Sequence, residues 1–119
     1  MLLVDALNTI IDDGIEAARG DYTEPRNKPK LDGSIAGFEA CRGKSPDQIV
    51  LLMQEADATT RQKMMEQAPD YWYWRCYQLE VEWVANVLSA ILDAQGLPII
   101  SNVTARGMMK AAEIIGVKA

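Results

Sequence analysis

The chain has 119 residues, 49% of them hydrophobic and 24% charged, which suits one globular domain with its own apolar core. A net charge of −5 argues against general binding to nucleic acid or to anionic membranes, because both need a basic surface. The absence of histidine removes the commonest general base near neutral pH and the commonest metal ligand.

Residues 2–18 carry a helical period. Leu3, Leu7, Ile10, Ile11, Gly14 and Ala18 share one face, and Asp5, Asn8, Asp12 and Glu16 the other. This opening stretch has no basic n-region and does not read as a secretory leader. Residues 20–33, GDYTEPRNKPKLDG, combine two prolines, two glycines and no hydrophobic period, so they are expected to form a long loop. Ser34 is then expected to cap a short helix over about 35–42, ended by Gly43.

Ser45-Pro46-Asp47-Gln48 has the composition of a helix start: a capping hydroxyl, proline at the first helical position, an acid, then glutamine. The stripe Ile49, Leu52, Met53 and Ala56 follows, as one helix to Gln67 or as two with a break near Ala58-Thr59. Pro69-Asp70 opens the longest helix, about 70–95, which stops before Gly96 and Pro98. A last helix, capped by Ser101 or Asn102, is expected to run to about Ile115 and stop at Gly116. No segment alternates with period two, so no strand is expected. The expectation is a single all-α domain over 1–119, a small bundle of four to six helices with one long loop near residues 20–33.

The two cysteines, Cys41 and Cys76, lack the close spacing of a zinc site and read as buried, reduced thiols. Their usage, with no membrane-spanning run, points to a cytoplasmic location. Gly37 and Gly43-Lys44-Ser45 superficially form a phosphate loop. The two glycines, however, enclose five residues instead of four, no strand precedes them, and Pro46 lacks an N–H where the anion would need one. A weaker anion site remains, in which Arg26, Lys28, Lys30, Arg42 and Lys44 lie in or beside helix starts at Ser34 and Ser45. Asp5, Asp12, Asp13 and Glu16 read as a solvated acidic face, and the chemistry calls for no cofactor and no metal.

The stretch YWYWRCYQLEVEW, residues 71–83, holds all three tryptophans and three of the four tyrosines. At about 100° per residue, Trp72, Cys76, Leu79, Trp83, Val87 and Ala90 fall on one line, with apolar residues on both sides. Arg75, Gln78, Glu82, Ser89 and Asp93 are left as a narrow polar strip. Such a helix must be covered on several sides, either as the centre of the bundle or by a second subunit. Within the arc Glu80 stands out, because a buried carboxylate is costly unless paired. Its expected partners are tyrosine hydroxyls, an indole N–H, or Arg42 or Arg106.

Two functions follow from these features. The first is a protein-interaction or regulatory module acting as a homodimer, with a further partner protein possible. The second is a small-molecule binding protein or enzyme with a pocket built from Glu80, Tyr73, Tyr77, Trp83 and Arg42.

Overall fold

Five α-helices and one short 3-10 turn account for residues 2–116, the part of the chain that the computed structural model describes. They are α1 (Leu3–Asp21), α2 (Lys28–Ala40), α3 (Pro46–Met65), α4 (Tyr71–Ala94) and α5 (Ala105–Ile115), with the turn at Pro25–Asn27. No strand occurs among the described residues, and the bundle measures 43 × 28 × 24 Å. None of these helices is long and apolar enough to cross a membrane.

The helix starts follow local chemistry. Ser45 Oγ accepts from the Gln48 backbone N–H at 3.2 Å and the Gln48 side chain accepts from the Ser45 N–H at 2.8 Å, a reciprocal cap that launches α3. From there α3 runs unbroken through Ala58-Thr59. The last helix starts later than expected. Its cap is Thr104, which accepts from Gly107 N–H at 3.1 Å, and not Ser101 or Asn102. Asn86 of α4 selects this start by bonding both the Thr104 hydroxyl and its N–H, at 2.9 and 3.1 Å.

The expected loop over 20–33 is largely helical. Helix α1 continues through Gly20 to Asp21, and α2 begins at Lys28. Pro29 lies in the first turn of α2, where its missing N–H has no intrahelical partner to lose, so it marks a start and not a break. Gly33 and Gly37 serve contact. A Cβ on Gly33 would run into the backbone carbonyl of Tyr73, and one on Gly37 into that of Tyr77. These glycines let α2 lie against α4 at backbone distance, so their signal is packing and not chain reversal. Ser34 accordingly caps nothing; it is a mid-helix residue only 1% exposed.

Helix α4 is the centre of the bundle and touches each of the other four helices. Val81, Val84, Ala85, Val87, Leu88, Ile91 and Leu92 are buried on it, against Ile10 and Ile11 of α1 and Ile49 of α3. Each such large side chain contributes about 1.5–3 kcal/mol by leaving water. The buried arc is rotated from the expected one. Gln78 and Ser89, placed on the polar strip by the sequence, are buried, while Trp72 and Leu79 are 54% and 42% exposed. Hydrogen bonds offset the burial of the two polar groups: Gln78 donates to Asp57 at 3.0 Å, and Ser89 Oγ accepts the backbone N–H groups of Ile100 and Ser101.

Candidate functional site

A groove of about 500 Å³ runs along the seam of α1, α4 and α5. Its apolar wall is formed by Phe38, Leu79, Trp83 and the small residues Gly14 and Ala18. Gly14 is small because Phe38 of α2 occupies the space its Cβ would need. The polar groups of the groove are sorted along its length. Asp21, Tyr22 and Glu80 belong to one end. Arg106 and Lys110 stand on the α5 side, with Asp13 facing Lys110. Asp13 and Asp21 are two helical turns apart on α1, about 12 Å.

Glu80 is the unusual group. It is mostly buried and makes no ion pair among the described residues. Burial pushes its carboxyl up to about 7 from an ordinary 4.5; the neighbouring Ser34 hydroxyl pulls the other way, and the negative charge of Asp21 adds to the rise. Behind Glu80 lie Tyr22, Ser34 and Cys76. The Tyr22 hydroxyl is 3.9 Å from the Cys76 sulfur. Burial, helped by the neighbouring Cys76 and Glu80, raises the Tyr22 phenol, and burial likewise raises the Cys76 thiol. A carboxyl in this setting is close to balance between its two forms near neutral pH.

Beside Glu80, the Trp83 ring carries the Arg106 guanidinium over its face, 5.8 Å from the centroid. Lys110 is committed to Asp13 at 2.7 Å and to Glu113 at 3.3 Å. Tyr22, Phe38, Ser34 and Asp21 are the members of this site that the sequence reading missed. Their signal lay in the pairing of Gly33-Ser34 with Gly37-Phe38, small and packing residues repeating every four positions on a helix, which a loop assignment hides.

The other expected site residues go elsewhere. Arg42 does not reach Glu80; it bonds Asp12 at 2.6 Å and Glu39 at 2.9 Å and ties the end of α2 to α1. Tyr77 packs on the Gly37 backbone and tilts against Trp74, with ring centroids 5.2 Å apart. Tyr73 lines a separate depression of about 560 Å³ with Lys28, Pro29, Pro69 and Trp74. The carboxylates there are engaged, Asp32 with Lys28 and Asp70 with Lys63 and the Trp74 indole, so it presents no open charge. For this reason we take the Glu80 groove, although slightly smaller, as the candidate site.

The three lysines of the expected anion site do not converge. Lys28 pairs with Asp32, and Lys30 lies over the Trp72 ring at 4.8 Å. Lys44 follows the far end of a helix of 13 residues, about 20 Å away. With Ser34 in mid-helix, the helix start that would have held an anion there does not exist. Among the described residues no cluster of cysteine, aspartate and glutamate is placed to hold a metal ion.

No protein-family model matches the chain, and no curated protein or solved structure matches it significantly.

Proposed function

We propose that this chain is a small-molecule binding protein whose ligand presents an amine or hydroxyl to Glu80. The observation that carries this reading is the Glu80 carboxyl itself: mostly buried, without an ion-pair partner among the described residues, and facing a groove walled by Tyr22, Phe38 and Trp83. A carboxyl held there at a desolvation cost gains most from a ligand that supplies the missing donor or positive charge. The rings provide apolar contact and, for a cation, favourable faces. The groove volume lies within the range of small-molecule sites.

Trp83 supplies the assay. With Trp72 and Trp74 replaced by phenylalanine, its fluorescence is to be followed while alkylamines, amino alcohols and polyols are titrated into the protein and into Glu80→Gln. Saturable quenching by a donor-bearing compound, weakened in Glu80→Gln, supports the reading. A panel that leaves both fluorescence and melting temperature unmoved sinks it.

A second reading, homodimerisation, rests on Trp72 and Leu79, seven residues apart on α4 and both exposed. The broad apolar arc of α4 lends it no support, because the chain's own helices cover that arc. Sedimentation equilibrium tests it. Association that disappears in Trp72→Lys/Leu79→Lys favours the dimer, and a single monomeric species at high concentration removes it.

A further inference from the structure

The groove has a second end, and its chemistry is opposite to the first. Arg106 is exposed at the start of α5 and has no carboxylate partner among the described residues. Lys110, one turn further along α5, is already neutralised by Asp13 and Glu113. The contact with the Trp83 ring, at 5.8 Å from its centroid, uses the charge of Arg106 and engages none of its N–H donors in a hydrogen bond among the described residues. Trp83 and Glu80 lie three residues apart on α4, about 4.5 Å along the helix axis. The unpaired cation and the unpaired carboxyl therefore border one cavity, with an indole between them.

The geometry points to a zwitterionic ligand of the ω-amino acid type, its amine at Glu80 and its carboxylate on the in-plane donors of Arg106. This inference rests on the ligand-binding reading above and narrows it to a chemical class. Planar guanidinium donors match a carboxylate in a two-point contact that an ammonium group does not offer. A ligand with only an amine leaves Arg106 unmatched, and one with only a carboxylate meets Asp21 and Glu80 at the other end. Discrimination by charge at both ends needs no enclosed pocket, which suits a groove open along its length.

The test compares a series of ω-amino acids of increasing chain length with the matching alkylamines and alkyl carboxylates, by tryptophan fluorescence and calorimetry. One member of the amino acid series is expected to bind about tenfold more tightly than its alkylamine, the increment of one charge-assisted contact. Arg106→Gln is expected to remove that increment, so that the amino acid no longer binds more tightly than its alkylamine, whereas Glu80→Gln weakens both. Arg106 is exposed, so its substitution leaves the core intact, and circular dichroism confirms the fold. Equal binding of the amine and the amino acid overturns this inference and leaves the pocket reading standing. Equal loss of both ligands in Arg106→Gln also overturns it, because Arg106 would then hold the groove and not the carboxylate. If no compound binds, the pocket reading fails and takes this inference with it.

Discussion

Replacing Glu80 by glutamine should make the protein more stable at alkaline pH and leave it almost unchanged in acid. The folded carboxyl titrates near 7, against an ordinary 4.5 in the unfolded chain. Below 4.5 the group is protonated in both states and costs nothing. As pH rises from 4.5 toward 7 the unfolded chain releases its proton first, so stability falls through this window and levels off above it. Moving a carboxyl from 4.5 to about 7 corresponds to about 3 kcal/mol. Water in the open groove screens part of this, leaving about 2 kcal/mol. Glutamine keeps the shape and an acceptor for Ser34 without the charge. Glu80→Gln should therefore match the parent at about pH 4 and exceed it by about 2 kcal/mol at about pH 8, a difference in melting temperature of roughly 8 °C. Urea titrations of both proteins across this range measure it, and titrating groups that do not interact with Glu80 cancel in the difference. A gap between the two proteins that stays constant with pH would refute the reasoning, since Glu80 would then ionise in the folded state as readily as in the unfolded chain.

Gly33→Ala should destabilise by about 1–3 kcal/mol, because the new methyl meets the Tyr73 carbonyl and forces α2 off α4. Gly20→Ala, inside α1 with open space around it, should instead stabilise by about 0.5–1 kcal/mol, so urea midpoints of the pair should move in opposite directions. Ser34→Ala removes the hydroxyl that favours ionised Glu80, and the Glu80 titration followed by carbon-detected NMR should move upward by about one pK unit; a downward move would contradict the assigned contact. Burial pushes the Cys41 thiol up to about 12 and raises Cys76 as well, so neither should react with an aromatic disulfide reagent under native conditions at mildly alkaline pH, and both should react in denaturant.

Helices were legible where the signal is local. The cap at Ser45 and the stops at Gly43, Gly96 and Gly116, all three with positive φ, depend on residues within one turn, and each stands where the sequence places it. The segment from Gly20 to Gly33 was misread because proline and glycine carry two meanings. Pro29 at the head of a helix is favourable, and Gly33 against a neighbouring backbone is required, yet in a list of residues both resemble a turn. The rotation of α4 was misjudged for a related reason. Counting apolar side chains places Trp72 and Leu79 inside, but burial is decided by which side of α4 the neighbouring helices occupy. Gln78 and Ser89 went inside because Asp57 and the backbone at 100–101 wait there with matching donors and acceptors. Glu80 was legible as an isolated acid among rings. Its companions were not, because Tyr22 comes to the site from just past the end of α1, and Ser34 and Phe38 from α2.

The same close approach that organises the fold also creates the candidate site. A helix buried over most of its circumference needs either many neighbours or near ones. Gly33 and Gly37 supply nearness, so α2 covers α4 without a second subunit on that side. Drawn in to backbone distance, α2 brings Ser34 to Glu80 and sends Phe38 on to α1, where Gly14 leaves room for its ring. Had α2 carried larger residues at these two positions, Glu80 would face more water, its carboxyl would titrate closer to 4.5, and the groove would lose the dry wall that makes an incoming charge worth binding. The glycines thus act at a distance from the ligand but upon the property that would recognise it, and stability and recognition in this bundle share one structural cause.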